Sequence, residues 1–342
     1  MKPLGWAILL SLAAVLAFLL SIRLGAEPLT TAEVLAALRG EGDVNVGLII
    51  RELRAPRAVM AILVGGGLSL SGAVFQALLR NPLAEPYILG ISGGAAMGAV
   101  TALALGLTAS LAWALPTAAF AGALIAILLV LKVASAADRR VDVRVLLLAG
   151  VVVGAFFTAG MSFVLSISDA RTVRTAVLWM MGSLASSDWS SVWMVALYSL
   201  PAAIVLLSLA RSLNLLAIGE ETAGYLGANV ERVKLVAYVL ASLLTAAGVA
   251  ATGVIGFVGL IVPHSVRLSV GADYRVLLPL SFLAGAVFLT LADILARTVF
   301  PITLNSPTEV PIGVITAFVG VPLFLVLLRR SVGDRTGTGV GS

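Results

Sequence analysis

The feature that most constrains this chain is a succession of apolar runs, each long enough to cross a lipid bilayer. A helix crossing roughly 30 Å of hydrocarbon needs about 20 predominantly apolar residues. Ten runs meet that description: Leu4–Ile22, Ala58–Leu79, Ile88–Leu107, Leu111–Val133, Val145–Ile167, Val192–Ala210, Leu235–Ala251, Val254–Val270, Leu277–Leu295 and Ile312–Leu328. Composition agrees. Of 342 residues, 60% are hydrophobic and 11% charged, against about 45–50% and about 25% in an ordinary soluble domain. The expected fold is therefore an all-α polytopic membrane protein with ten transmembrane helices. The seventh and eighth runs are short, are separated by Thr252-Gly253, and the eighth carries Pro263-His264. Such breaks are tolerated where protein or a water-filled cavity satisfies the backbone. The first run has a signal-peptide alternative, but it exceeds a typical h-region and no small-x-small cleavage site follows.

Ten spans put both termini on one side. Placing them inside assigns 14 of the 22 basic residues, and all three lysines, to inner loops and tails. The positive-inside bias therefore points to cytoplasmic termini. Gly25–Arg57 is then a long outer segment, where Thr30-Thr31-Ala32-Glu33 reads as a capping box opening a short helix to Arg39. Ser168–Ser191 is a second outer segment, with Trp179, Trp189 and Trp193 at interfacial depth. Ser212–Lys234 is the longest inner loop, and Gly219–Gly227 is expected to form a short surface helix. Residues 1–330 form a single membrane domain, and the Gly- and Thr-rich tail 331–342 is expected to be disordered.

Several function classes fall away. The chain has no cysteine and one histidine, His264, so thiolate chemistry is absent and a zinc or haem cluster lacks ligands. A lone histidine at an inner helix end reads as a structural hydrogen-bond partner. None of the three lysines follows a glycine, so there is no phosphate-binding loop; any ATPase is a separate chain. Only Asp293 is clearly intramembrane, too little for an intramembrane protease. The basic residues are dispersed between apolar runs, which does not suggest nucleic acid. Neither an enzyme nor a resident cofactor or metal is expected.

Three regions are denser in motifs. The first runs from Arg54-Ala55-Pro56-Arg57 through Gly65-Gly66-Gly67 and Ser71-Gly72-Ala73-Val74-Phe75-Gln76 to Arg80-Asn81-Pro82-Leu83-Ala84-Glu85-Pro86. The glycines read as sites of close helix approach. Gln76 within a span wants a polar partner, and the two prolines mark a tight inner re-entry. The second is the Gly253–Arg267 run, containing Gly256-Phe257-Val258-Gly259-Leu260-Ile261-Val262-Pro263-His264. The third joins Ala292-Asp293-Ile294-Leu295-Ala296-Arg297 to Glu309-Val310-Pro311-Ile312-Gly313.

In this ordered set, together with Leu89-Gly90-Ile91-Ser92, Trp179-Met180-Met181-Gly182 and Gly219-Glu220 followed by Ala223, Leu226 and Gly227, the chain resembles a known family. It is similar to the permease subunits of binding-protein-dependent ABC importers for iron-siderophore complexes, haem and cobalamin. The likeness runs in unbroken order over roughly residues 25–330, each motif weak alone and the series specific.

The resemblance implies a homodimer around one pathway, two ATPase subunits below that bind the ATP and Mg, and a soluble substrate-binding protein above. It makes about 216–229 a coupling helix, with Gly219, Glu220, Glu221, Ala223, Tyr225, Leu226 and Gly227 meeting the ATPase. Arg54, Arg57 and Arg297 become docking residues for the binding protein, although Asp293, one turn before Arg297, offers a competing intrahelical pair. Asn81, Leu83, Asp142, Val143 and Arg144 would form cytoplasmic gates, with Asp142 and Arg144 replacing the small polar residues expected there. Met161, Phe163, Val164, Ser166 and Ile167 of the fifth span would line an apolar pathway suited to a large chelate. The rivals are an ion-gradient-driven transporter, which wants clustered membrane acids, and a non-transporting scaffold, which needs no ordered docking and gate motifs. Cargo stays open between ferric siderophore, cobalamin and haem.

Overall fold

The computed structural model describes residues 2–25, 28–111, 113–137, 142–304 and 308–336. Its regular elements are helical throughout: α1 Pro3–Arg23, α2 Thr31–Leu38, α3 Val44–Leu48, a π-helical turn Ile49–Arg54, α4 Ala55–Leu78, a 3-10 turn Pro86–Leu89, α5 Ile91–Ala104, α6 Leu107–Ser110, α7 Ala114–Ala137 and α8 Val143–Ser166. The chain continues with α9 Ala170–Met180, α10 Trp189–Ser208, α11 Ala210–Ile218, α12 Glu220–Tyr225, α13 Val230–Thr252, α14 Val258–Val270, α15 Tyr274–Leu304 and α16 Ile312–Thr336.

Among the described residues, seven helices are long and apolar enough to cross a membrane. The third, eighth and tenth expected spans fall on shorter apolar stretches: Ile91–Ala104, Val258–Val270 and Ile312–Val326. At 1.5 Å per residue, a 14-residue α5 covers about 21 Å, less than the full hydrocarbon thickness. The cause is local: Pro86 and the left-handed Gly90 (φ 75°) stop the helix from extending toward Asn81. α16 runs on to Thr336, into the expected tail. Residues 337–342 lie outside the described residues, as do Arg139 and Arg140 of the inner charge count.

The hydrophobic pattern of α4 decides the architecture. Apolar and small residues surround it on all sides, so it has no solvent or lipid face. Its apolar window is 89% buried, against 17% for α1, which lies at the edge. α10, α13, α14 and α15 pack around α4, and small residues allow close approach. A Cβ added at Gly65 would strike the backbone of Gly285 in α15, and one at Gly72 would overlap the Gly259 carbonyl in α14. Gln76 finds its expected partner: Nε2 donates to the Leu260 carbonyl at 3.1 Å.

The break between α13 and α14 is satisfied by protein, as its sequence requires. Ser183 N–H donates to the Thr252 carbonyl (2.8 Å), and Phe257 N–H donates to Glu85 Oε1 (2.9 Å). The Tyr87 hydroxyl donates to the Ile255 carbonyl (3.0 Å) and accepts from the Ile255 N–H (3.3 Å). Phe257 itself is left-handed, with φ 70°, a costly conformation for a residue with a Cβ. In the outer segment the capping box is present: Glu33 N–H donates to Thr30 Oγ1 and Thr30 N–H to Glu33 Oε2. The hydroxyl and backbone donors of Thr30 hold the exposed Glu33 carboxyl below its ordinary range.

Candidate functional site

The candidate residues collect at two ends of the bundle and along α8. At the end expected to be inner, Gly219 (φ 153°) turns the chain sharply between α11 and α12. Ala223 of α12 is fully buried against the bundle, while Tyr225 is 92% and Leu226 62% exposed. Glu221 and Gly227 are exposed and Glu220 half-buried. The structure therefore divides the expected contact set: Ala223 faces inward and is unavailable to a partner, because the short helix uses its smallest side chain to approach the core. Ile218, 70% exposed, joins the outward apolar group and was not expected there. On the neighbouring loop, Asn214 Nδ2 donates to Asp273 (2.7 Å), and this bond holds the exposed Asp273 carboxyl below its ordinary range.

Glu220 meets two cations. Its Oε2 accepts from Lys234 Nζ at 2.9 Å, and its Oε1 lies 3.5 Å from Arg80 Nη2. Arg80, Asp142, Arg144, Gly219, Glu220 and Glu221 line one cavity of about 700 Å³. The expected coupling segment and the expected gate residues Asp142 and Arg144 thus share a wall. Asp142 caps α8 by accepting from the Arg144 N–H (2.6 Å); the Val143 side chain lies outside the described residues. Asn81 Oδ1 accepts from the Leu83 N–H (2.9 Å), closing the turn after α4 and leaving Leu83 37% exposed.

At the opposite end, the arginines expected to be docking charges are buried: Arg54 is 8%, Arg57 9% and Arg297 3% exposed. Arg57 Nε and Nη2 donate to the Asp293 carboxylate (2.9–3.1 Å), and Nη1 and Nη2 donate to Glu309 (3.0 and 2.9 Å). Arg297 Nη2 donates to the carbonyl and hydroxyl of Ser21 (2.8 and 2.6 Å), and Nε lies 3.4 Å from Asp293 Oδ2. Arg54 Nη1 donates to the carbonyls of Ile22 and Arg23 (2.8 and 2.9 Å). These groups tie α1, α4 and α15 to the entry of α16. The three guanidinium groups are thus buried and matched inside the chain rather than standing free at its surface. The competing Asp293–Arg297 pair is present.

α8 carries two distinct faces. Val151, Gly154, Thr158 and Met161 line a cavity of about 410 Å³ with Tyr87, Met180 and Val254. Leu148, Val152, Phe156, Phe163 and Ile167 are exposed at 57–71% and form an outward apolar stripe. The expected pathway set is split between them: Met161 belongs to the cavity, Phe163 and Ile167 to the outer stripe. Val164 is half-buried, and the exposed Ser166 donates to the Phe163 carbonyl (2.7 Å). Sequence reasoning did not anticipate Lys234, which stands near the start of α13 and is 3% exposed; a lysine so close to an apolar run signals a paired carboxylate.

A bundle of apolar helices, seven of them among the described residues long enough to cross a bilayer, is the architecture of a multi-pass membrane protein. Residues 13–330 match the FecCD transport family, and the chain belongs to that family. It is 45% identical over 282 residues to the cobalamin import system permease protein BtuC of Halobacterium salinarum, covering 82% of this chain and 73% of that protein. It is 41% identical over 327 residues to the vitamin B12 import system permease protein BtuC of Salmonella paratyphi A, covering 95% of each. A solved structure described as an inward-facing conformation of a metal-chelate type ABC transporter aligns with a TM-score of 0.85 at 33% identity, over 95% of this chain and 98% of that one. PsaBC from Streptococcus pneumoniae in complex with Fab shares the fold, at TM-score 0.56 and 18% identity, over 82% of this chain and 92% of that one. The chain is an ABC transporter permease of this type, and its relatives are transport subunits.

Proposed function

We propose that two copies of this chain enclose the pathway of an ATP-driven importer of a metal chelate, with cobalamin the first cargo to test. The observation that carries the reading is the apolar knob of α12, Tyr225 and Leu226, exposed on a short helix whose other side is anchored by Ala223. A large exposed apolar group rimmed by charge marks a protein contact, and an ATPase subunit that binds and hydrolyses Mg-ATP fits it. The relatives named as cobalamin permeases support the cargo class. In this reading the chain crosses the plasma membrane ten times with both termini in the cytoplasm. The Asn81–Leu83 turn and the start of α8 close the pathway inside, and the exposed stripe of α8 faces the second copy. A soluble binding protein docks over the arginine cluster, which acts from below as a rigid frame; Glu309, with 35% of its side chain exposed, is the rim group that an incoming acid would displace from Arg57.

An ion-gradient mechanism is less well supported, because Asp293, the acid it would use, is fully buried between Arg57 and Arg297. The test is Leu226→Asp, which would bury an unpaired charge in the ATPase contact. Co-purification with its partner ATPase should fall at least about tenfold, equivalent to 1.4 kcal/mol. Undiminished co-purification removes α12 from the interface.

A further inference from the structure

The turn that follows α4 is held at both of its ends. At its start, Arg80 adopts a left-handed conformation (φ 47°), uncommon for a residue with a side chain, and its guanidinium lies 3.5 Å from Glu220 of α12. At its finish, Glu85 accepts from the Phe257 N–H (2.9 Å), and Tyr87 brackets Ile255. Between these points lie Asn81 and Leu83. The Glu220 carboxylate is simultaneously bonded to Lys234 (2.9 Å), so one side chain joins α12 to both the end of α4 and the base of α13. The rest of α12 touches the bundle mainly through Ala223, its Tyr225 and Leu226 side facing outward.

We propose that Glu220 and Arg80 are positioning residues that transmit displacement of α12 to the Arg80–Glu85 turn, so that a partner's push on the exposed face moves Leu83. The inference rests on the reading of α12 as the ATPase contact. The pair suits transmission better than stabilisation. Arg80 and Glu220 have 45% and 37% of their side chains exposed, and an ion pair so placed contributes little to stability. Lys234 retains Glu231 at 2.9 Å when Glu220 is neutralised, so its buried charge stays matched. A chain of ion pairs between packed elements is one route by which distant sites couple.

The chain contains no cysteine, so Leu83→Cys is a clean reporter. Reconstituted with its ATPase, the reporter chain should react with a maleimide at rates differing about fivefold or more between nucleotide-free and vanadate-trapped states, the lower end of ordinary coupling. Adding Arg80→Gln should reduce that difference below about twofold while the ATPase still co-purifies, and Glu220→Gln should do the same to the reporter. The double variant should be no worse than either single one, the signature of two residues acting as one link. Glu220→Asp, which keeps the charge, should restore most of the response. A full nucleotide response in both Arg80→Gln and Glu220→Gln overturns the proposal, as does additive loss in the double variant. A reporter chain with native Arg80 and Glu220 that does not co-purify with the ATPase overturns the reading of α12 beneath it.

Discussion

Asp293 is fully buried with a guanidinium on either side, and this one carboxylate explains why Arg57 and Arg297, which look like surface charges in the sequence, are interior groups; Arg54 is held instead by the Ile22 and Arg23 carbonyls. Removing one partner of a buried ion pair costs about 3–5 kcal/mol, because the remaining charge is left uncompensated. Asp293→Ala should therefore lower the thermal midpoint of the detergent-solubilised protein by many degrees or abolish its folded yield. Glu309→Gln, at the half-exposed rim, should cost about 1 kcal/mol or less. Equal losses in the two variants, followed by fluorescence-detected size exclusion across a temperature ramp, would show that burial does not set the hierarchy. Part of this cluster was legible in the sequence. An acid within an apolar run demands a cation, and Arg297 stands one turn away. Arg57 is 236 residues distant, and only tertiary packing brings it there, so the same arginines read naturally as outward charges. The family motif singled out these residues and left their exposure undetermined.

At the scale of elements, small residues set how closely helices approach, and the sequence pattern displayed this more plainly than it displayed helix ends. Gly72→Ala places a methyl group on the Gly259 carbonyl and should force α4 and α14 apart, losing about 1–3 kcal/mol or more. Gly67→Ala meets only the Leu244 side chain at ordinary contact distance and should fold normally. Comparing the monodisperse yield of the two variants checks the assignment, and equal yields would contradict it. Span boundaries were harder to read because hydropathy does not report where backbone geometry fails. Ile88–Leu107 is apolar apart from Ser92 and Thr101, yet Pro86 and Gly90 hold the start of the α-helix back to Ile91. The capping box at Thr30–Glu33 was legible because it is a local, three-residue interaction. The division of α12 into an inward Ala223 and an outward Tyr225 and Leu226 was not, since it depends on how α12 lies against the bundle.

For the whole molecule, the exposed stripe of α8 and the apolar knob of α12 are two of the surfaces that a single copy leaves open. If α8 lines a pathway between copies, Met161→Cys and Ser166→Cys should react with a membrane-impermeant thiol reagent added outside when the pathway opens outward, and Phe163→Cys should cross-link two copies. Labelling at none of these positions, with no cross-link, would make α8 a lipid-facing helix. The central claim is transport driven by a separate ATPase. Its most direct measurement is uptake of radiolabelled cyanocobalamin into proteoliposomes containing this chain and its ATPase, with the binding protein outside and nucleotide enclosed. Accumulation that requires enclosed ATP, disappears with a non-hydrolysable analogue and ignores ion gradients is the predicted result. Accumulation without ATP that follows an imposed proton or sodium gradient would contradict the account.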